Sequence, residues 1–193
     1  MPAVVGVLAL QGAFAAHREC LERLGASVHE VRVPSDLDMV DALVMPGGES
    51  STMSQLLESS GLFDAIADSL GQGMAVFGTC AGMILLGRRI LDGRPDQRSF
   101  GAMDIAVRRN AYGRQIDSFE ADLETAMGPV RGVFIRAPRI EHVGPDVEVL
   151  ARWDDEPVLV RQGRVLAASF HPELSGDGLV HEYFLGMALK GTV

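Results

Sequence analysis

Met74-Ala75-Val76-Phe77-Gly78-Thr79-Cys80-Ala81-Gly82-Met83-Ile84-Leu85-Leu86-Gly87 carries one short apolar run into a Gly-x-Cys-x-Gly turn and a second apolar run out of it. The first run has the length and composition of a buried parallel strand, and the second reads as the first turns of a buried helix. A strand-to-helix turn of this kind lifts one reactive side chain above a sheet, as a nucleophile elbow does. Glycines at both flanks suit the close approach of strand and helix, where a side chain would collide. A cysteine at such a helix start lies in partial positive charge, which favours its thiolate. A buried structural cysteine in a tight turn fits the same residues, so the choice falls to the rest of the chain.

Outward from this segment, the alternation of short apolar runs with helical stretches predicts an α/β chain. Val4 to Leu10 reads as a central strand, followed by a helix to about Leu24 that Gly25 stops. Val28 to Val33 reads as a second strand, closed by Pro34, and Ala42 to Met45 as a third. A helix or helix pair runs on to Leu70, broken near Gly61. Arg88 to Ser99, charged and rich in Gly and Pro, reads as a surface connection, and Ala102 to Arg108 as a strand. Gly132 to Ile135 makes another strand that delivers Arg136 just before Pro138. Val147–Ala151, Pro157–Val160 and Val165–Ser169 read as an antiparallel meander with turns at Asp154-Asp155 and Gln162-Gly163. A helix from about Gly176 to Lys190 closes the chain. Trp153, at one of these turns, reads as a packing residue, and Cys20 as a structural one.

Composition narrows the function classes. With 193 residues and 47% apolar content, one domain over residues 1–193 with a substantial core is expected. The net charge of −9, from 17 basic and 26 acidic residues, argues against broad nucleic-acid binding. Two cysteines in unrelated contexts suggest a reducing compartment. No apolar run reaches membrane-spanning length and no basic segment precedes an apolar one at the start, so a soluble, cytoplasmic chain is expected, with no membrane partner. His17, His29, His142, His171 and His181 show no ligand spacing, and no metal is expected.

Three further segments bear on Cys80. Pro46-Gly47-Gly48-Glu49-Ser50-Ser51-Thr52 ends a strand with a Gly-Gly pair followed by Ser/Thr helix caps, which exposes N–H groups suited to an anion or a developing oxyanion. A plain turn uses the same residues. Gln11 closes the first strand at the sheet edge where ligands bind in open α/β folds, although an ordinary turn residue fits there equally. His171-Pro172-Glu173 places His and Glu on one side of an extended segment, since Pro172 biases His171 toward extended backbone. Glu173 can then fix the imidazole tautomer while the other nitrogen takes a proton from a thiol. With Cys80 this completes a Cys-His-Glu version of the triad logic. Arg109 and Arg136, in polar or strand-end positions, fit a solvated loop as isolated arginines do, or, if placed over a crevice, suit a substrate carboxylate through paired donors.

Gly78-Thr79-Cys80-Ala81-Gly82, His171-Pro172-Glu173 and Pro46-Gly47-Gly48-Glu49-Ser50 together resemble a class I, triad-type glutamine amidotransferase. More narrowly, Leu8-Ala9-Leu10-Gln11-Gly12-Ala13, Arg109-Asn110, Tyr112-Gly113-Arg114-Gln115-Ile116-Asp117-Ser118-Phe119-Glu120 and Phe134-Ile135-Arg136-Ala137-Pro138 resemble the glutaminase subunits of pyridoxal 5'-phosphate synthases. Many class I glutaminases carry a substrate-holding glutamine at or near the second residue after the elbow. Met83-Ile84-Leu85 stand there instead, which fits the vitamin B6 family.

The resemblance implies a three-layer α/β/α flavodoxin-like fold with a mostly parallel central sheet. It implies hydrolysis of L-glutamine by Cys80, His171 and Glu173, with Gly48 and Ala81 as oxyanion donors and Gly48, Glu49, Ser50, Arg109, Ile135 and Arg136 as glutamine-binding positions. It also implies a separate (β/α)₈-barrel synthase subunit that receives the ammonia, and no cofactor in this chain. Because Gln11 ends the first strand on the same sheet edge as Cys80, an interface near Gln11-Gly12 whose docking orders the oxyanion loop is expected. A stand-alone γ-glutamyl cysteine hydrolase and a silent binding subunit of the same fold are the alternatives.

Overall fold

The computed structural model describes residues 3–109 and 118–189. In chain order the elements are β1 (Val4–Leu8), α1 (Phe14–Arg23), β2 (Ser27–Val31), β3 (Ala42–Met45), α2 (Ser50–Ser59), α3 (Leu62–Gly71), β4 (Ala75–Thr79), α4 (Ala81–Leu86), β5 (Gly87–Ile90) and β6 (Met103–Arg108). They continue as β7 (Ser118–Thr125), β8 (Gly128–Ile135), β9 (Arg139–Val143), β10 (Glu148–Trp153), β11 (Glu156–Gln162), β12 (Val165–Ala168) and α5 (Leu179–Leu189).

The main sheet runs β2-β1-β3-β4-β12-β11-β10-β7-β8. Its first five strands are parallel and the remaining four join by antiparallel pairing, so the mostly parallel expectation describes the half that holds the elbow. A second sheet, β5-β6-β9, lies beside it. The inner parallel strands β1, β3, β4 and β12 are almost wholly apolar because both faces are covered, whereas the edge strand β2 carries His29 and Glu30. Leu8, Met45, Val76 and Ala167 point into a core with α2, α3, α4 and the small sheet. Val7, Val44, Phe77 and Ala168 point the opposite way, into a core with α1, α5 and the antiparallel strands. Burial of these alternating sets is the main stabilising contribution, about 25 cal/mol for each Å² of apolar surface removed from water.

The anticipated strands form with shifted bounds: Val4–Leu8 and Ser27–Val31 end earlier than the apolar runs do, while Asp154-Asp155 and Gly163 make the anticipated turns with positive φ. Three strands were not anticipated. Gly87–Ile90 opens the stretch read as a surface connection, and Ser118–Thr125 and Arg139–Val143 alternate exposed charge with partly or fully buried apolar residues. Trp153 packs, with its ring 4.4 Å from that of Phe119 and 5.9 Å from that of Phe134. Cys20 is buried mid-helix, and burial pushes its thiol pKa up.

The antiparallel end of the sheet curls back toward its centre. Val133 in β8 accepts a hydrogen bond from the backbone N–H of His171 at 2.8 Å. The carboxyl end of β8 therefore meets those of β1, β3, β4 and β12 at one edge, where the candidate site residues sit, and Arg109 reaches the same cavity from the end of β6 in the small sheet.

Candidate active site

The elbow is built by two close approaches. A Cβ on Gly78 would lie 2.6 Å from the backbone carbon of Gly82, and one on Gly82 would strike the carbonyl oxygen of Met45. Cys80 itself has φ 50°, a conformation that side chains rarely adopt and that the packed strand and helix must hold in place. Its backbone N–H is fixed by the carbonyl of Ala168, 2.9 Å away in β12. Cys80 thus projects into a cavity of about 520 Å³, which is also lined by Gly48, Glu49, Ser50, Arg109, Ile135, Arg136 and His171. Ile84, two residues beyond Gly82, supplies an apolar wall to the same cavity.

His171 follows β12 and packs over the glycine loop, where a Cβ on Gly47 would come within 2.5 Å of its Cε1. Its Nδ1 lies 2.7 Å from Oε1 of Glu173. Burial disfavours the charged imidazole, but the interactions with Cys80 and Glu173 outweigh it and push the His171 pKa up to about 10. Burial likewise disfavours an ionised Glu173, yet His17 and His171 hold its carboxyl below the usual range. The arrangement therefore favours a charged imidazole between an ionised carboxylate and the cysteine.

The glycine loop is held from two sides. The side-chain amide of Gln11 donates to the carbonyl of Glu49 at 2.7 Å, and Gly12 packs so closely on the carbonyl of Gly47 that no Cβ would fit. Gly48 has φ 155° and is exposed to the cavity. Ala81 is the first residue of α4, so its N–H has no partner within the helix and is available to an oxyanion. Gln11 and Gly12 stand beside the loop rather than in the cavity wall.

Glu49 has a structural role in addition to lining the cavity. Its carboxylate caps α2 by accepting from the N–H groups of Ser51 and Thr52 at 3.1 and 2.6 Å, and it pairs with Arg109 at 2.8 Å. Burial opposes this, but the helix N–H donors pull its pKa down to about 2. Gln97 ties the group together: its Oε1 lies 3.2 Å from an Arg109 nitrogen, and its amide donates to the Ser50 hydroxyl at 3.0 Å. Arg136 ends β8 with φ 44° and is exposed at the cavity rim. Asn110, Tyr112, Gly113, Arg114, Gln115, Ile116 and Asp117 lie outside the described residues.

Sequence reasoning missed Gln97 and two buried histidines. His17 in α1 and His181 in α5 sit behind Glu173, with His17 Nε2 3.4 Å from Glu173 Oε2. Nothing in their spacing signals this, since the separation of 164 positions between the two histidines is bridged only by the fold. Among the described residues no group of three or more His, Cys, Asp or Glu could hold a metal ion, and no helix is long and apolar enough to cross a membrane.

This geometry has close counterparts. A protein named pyridoxal 5'-phosphate synthase subunit PdxT from Thermus thermophilus is 55% identical over 190 residues, covering 97% of this chain and 99% of that one. The protein of that name from Corynebacterium jeikeium is 53% identical over 196 residues, covering 98% and 99%. A crystal structure of a glutamine amidotransferase superposes with a TM-score of 0.91 at 52% identity, covering 95% of this chain and 98% of that one. Residues 7–190 match the SNO glutamine amidotransferase family, and the chain belongs to that family.

Proposed function

We propose that residues 1–193 form one glutaminase domain that hydrolyses L-glutamine to L-glutamate and ammonia through Cys80, His171 and Glu173. The observation that carries this reading is the gathering of Cys80, His171, the Gly48 loop and two arginines around one cavity at the sheet edge. Cys80, as a thiolate, attacks the side-chain amide carbon of glutamine, and the carbonyl π electrons move onto oxygen. The N–H groups of Gly48 and Ala81 receive that oxyanion. His171, charged at neutral pH, protonates the departing nitrogen, the C–N bond breaks, and ammonia leaves a γ-glutamyl thioester. The now neutral His171 takes a proton from water, whose oxygen attacks the thioester, and glutamate leaves as Cys80 is restored. Glu173 orients His171 throughout. Arg109 and Arg136 face the α-carboxylate of the substrate, while Glu49, Ser50 and Ile135 complete its binding site.

The ammonia passes to a separate synthase subunit, a (β/α)₈ barrel, for pyridoxal 5'-phosphate formation. Docking near Gln11 and Gly12 orders the oxyanion loop, since Gln11 bonds directly to the carbonyl after Gly48. A cytoplasmic setting fits two free, buried cysteines. The test is ammonia release from glutamine, with and without the synthase subunit, compared with Cys80→Ala. Release that depends on Cys80 and rises with the partner is expected. Full release by Cys80→Ala would overturn the mechanism, and equal rates with and without the partner would overturn activation by docking. Partner-independent turnover of γ-glutamyl peptides would instead identify a stand-alone hydrolase.

A further inference from the structure

His17 and His181 are each 0% exposed and make no contact with the catalytic cavity, yet they reach the triad from behind. Glu173 uses Oε1 toward His171, at 2.7 Å. Its other oxygen, Oε2, is buried with no formed hydrogen bond among the described residues, and the polar atom facing it is His17 Nε2 at 3.4 Å. The same nitrogen lies 3.1 Å from the hydroxyl of Thr79, the residue before Cys80. On the far side of the ring, His17 Nδ1 is 2.9 Å from His181 Nε2. One imidazole therefore spans the neighbour of the nucleophile and the free oxygen of the base's partner.

The proton positions in this chain follow from its ends. An ionised carboxylate only accepts, so the nitrogen of His17 facing Glu173 must carry hydrogen. Burial keeps both His17 and His181 neutral, pulling His181 down to about 3. A neutral His17 protonated at Nε2 can only accept at Nδ1, and the 2.9 Å contact then requires hydrogen on His181 Nε2. That leaves His181 Nδ1 as a bare lone pair, and Nδ1 is the nitrogen of that ring with no partner. The reverse tautomers would set a lone pair against the carboxylate and bury an unmatched N–H, which is the costlier defect.

We propose that His17 is a positioning residue of the glutaminase: its Nε2–H faces the second oxygen of Glu173 and holds the carboxylate turned toward His171, and His181 fixes the tautomer that makes this possible. The proposal rests on the glutaminase reading for the roles of Cys80 and His171. The other titratable groups around this cluster are His171 on the same turn, Cys20 and Arg23 in α1, Asp177 ahead of α5, and Glu19 and Glu22 of α1, which line one surface cavity with Arg23 and Glu173.

Its test compares His17→Gln, which can return an N–H to the Nε2 position, with His17→Asn and His17→Phe, which cannot. Iodoacetamide alkylation of the Cys80 peptide, measured against pH on the free chain, reports the ionised triad without glutamine or a partner. Loss of the donor raises the Glu173 pKa, so the acid limb in the Asn and Phe variants should move toward neutral by about one pH unit, or roughly tenfold in rate at a fixed pH on the limb. The Gln variant should stay within a few tenths of a unit, roughly twofold, of the parent. In glutamine turnover with the synthase present, the Asn variant should lose kcat roughly tenfold while KM changes less than about threefold. An Asn limb that coincides with the parent's, or a Gln limb displaced as far as the Asn limb, overturns the proposal. If the Phe variant does not fold, the Gln and Asn pair decides alone. Absence of glutamine turnover in the parent overturns the glutaminase reading and leaves the alkylation comparison standing.

Discussion

Glu173 is almost wholly buried, and its carboxylate lies 2.7 Å from His171 in the proposed triad. Replacing it with Gln keeps the size but lets an amide face Nδ1, so the imidazole is held in the wrong tautomer. Glutamine turnover should fall roughly 10³-fold or more with little change in fold, measured as kcat beside a thermal melt. His171 makes a second, pH-dependent prediction. Its folded pKa of about 10 lies above the ordinary 6.5, so its contribution to stability is complete below pH 6.5 and is lost as pH rises toward 10. The melting-temperature gap between the parent and His171→Gln should therefore narrow steadily over that range.

Glu49 behaves in the opposite sense. Its folded pKa of about 2 lies below the ordinary 4.5, so the stability it contributes is present above 4.5 and is lost as pH falls toward 2. The side chain is 51% exposed, and solvent screens part of this effect. Glu49→Ala removes the cap of α2 and should cost about 1 kcal/mol in urea unfolding. The same change releases Arg109 from its carboxylate partner, so the KM for glutamine should shift along with stability. A Glu49 whose removal left both quantities unchanged would contradict its double role.

At the level of elements, the β4–α4 turn leaves no space for side chains at its flanks. Gly82→Ala would press a methyl group onto the backbone of β3 and should destabilise by about 1–3 kcal/mol or more, read from chemical unfolding. This element was legible in the sequence because its constraint is local: glycines three residues apart or less from the cysteine, with apolar runs on either side. The His171-Pro172-Glu173 segment was legible for the same reason. The small sheet was not, since β5 is four residues long with two exposed arginines. In β7, Phe119, Ala121 and Leu123 alternate with Glu120, Asp122 and Glu124, a period-two pattern that the preceding polar stretch obscured. Arg131 in β8 pairs with Glu120 and Asp122 across that exposed face. The sequence pattern assigns the capping of α2 to Ser and Thr, but Glu49 caps it because its carboxylate reaches the N–H groups of Ser51 and Thr52, and its bond to Arg109 depends on a contact across 60 residues.

Across the whole molecule, the site is a meeting of strand ends that are far apart in sequence. Five parallel strands bring Gln11, the glycine loop, Cys80 and His171 to one edge, and the curled antiparallel half brings Ile135 and Arg136 over them. Sequence reasoning identified these residues because each carries its own motif. It could not identify His17, His181 or Gln97, whose importance lies only in what the fold sets beside them. Arg136→Ala removes a charged donor from the rim while leaving the core intact. The KM for glutamine should rise roughly tenfold or more with an unchanged melting temperature, as expected when one charge-assisted hydrogen bond is lost.

The contact between Gly82 and the carbonyl of Met45 has a further consequence. Met45 leads directly into the loop that bears Gly48, and Gly82 sits one residue beyond Ala81, so the two proposed oxyanion donors hang from backbones that touch. Their separation is gauged by main chain resting on main chain, with no side chain interposed. Substitutions elsewhere in either core can loosen or tighten the protein without resetting that gauge, so the spacing of the donors is insulated from most of the sequence variation the fold tolerates.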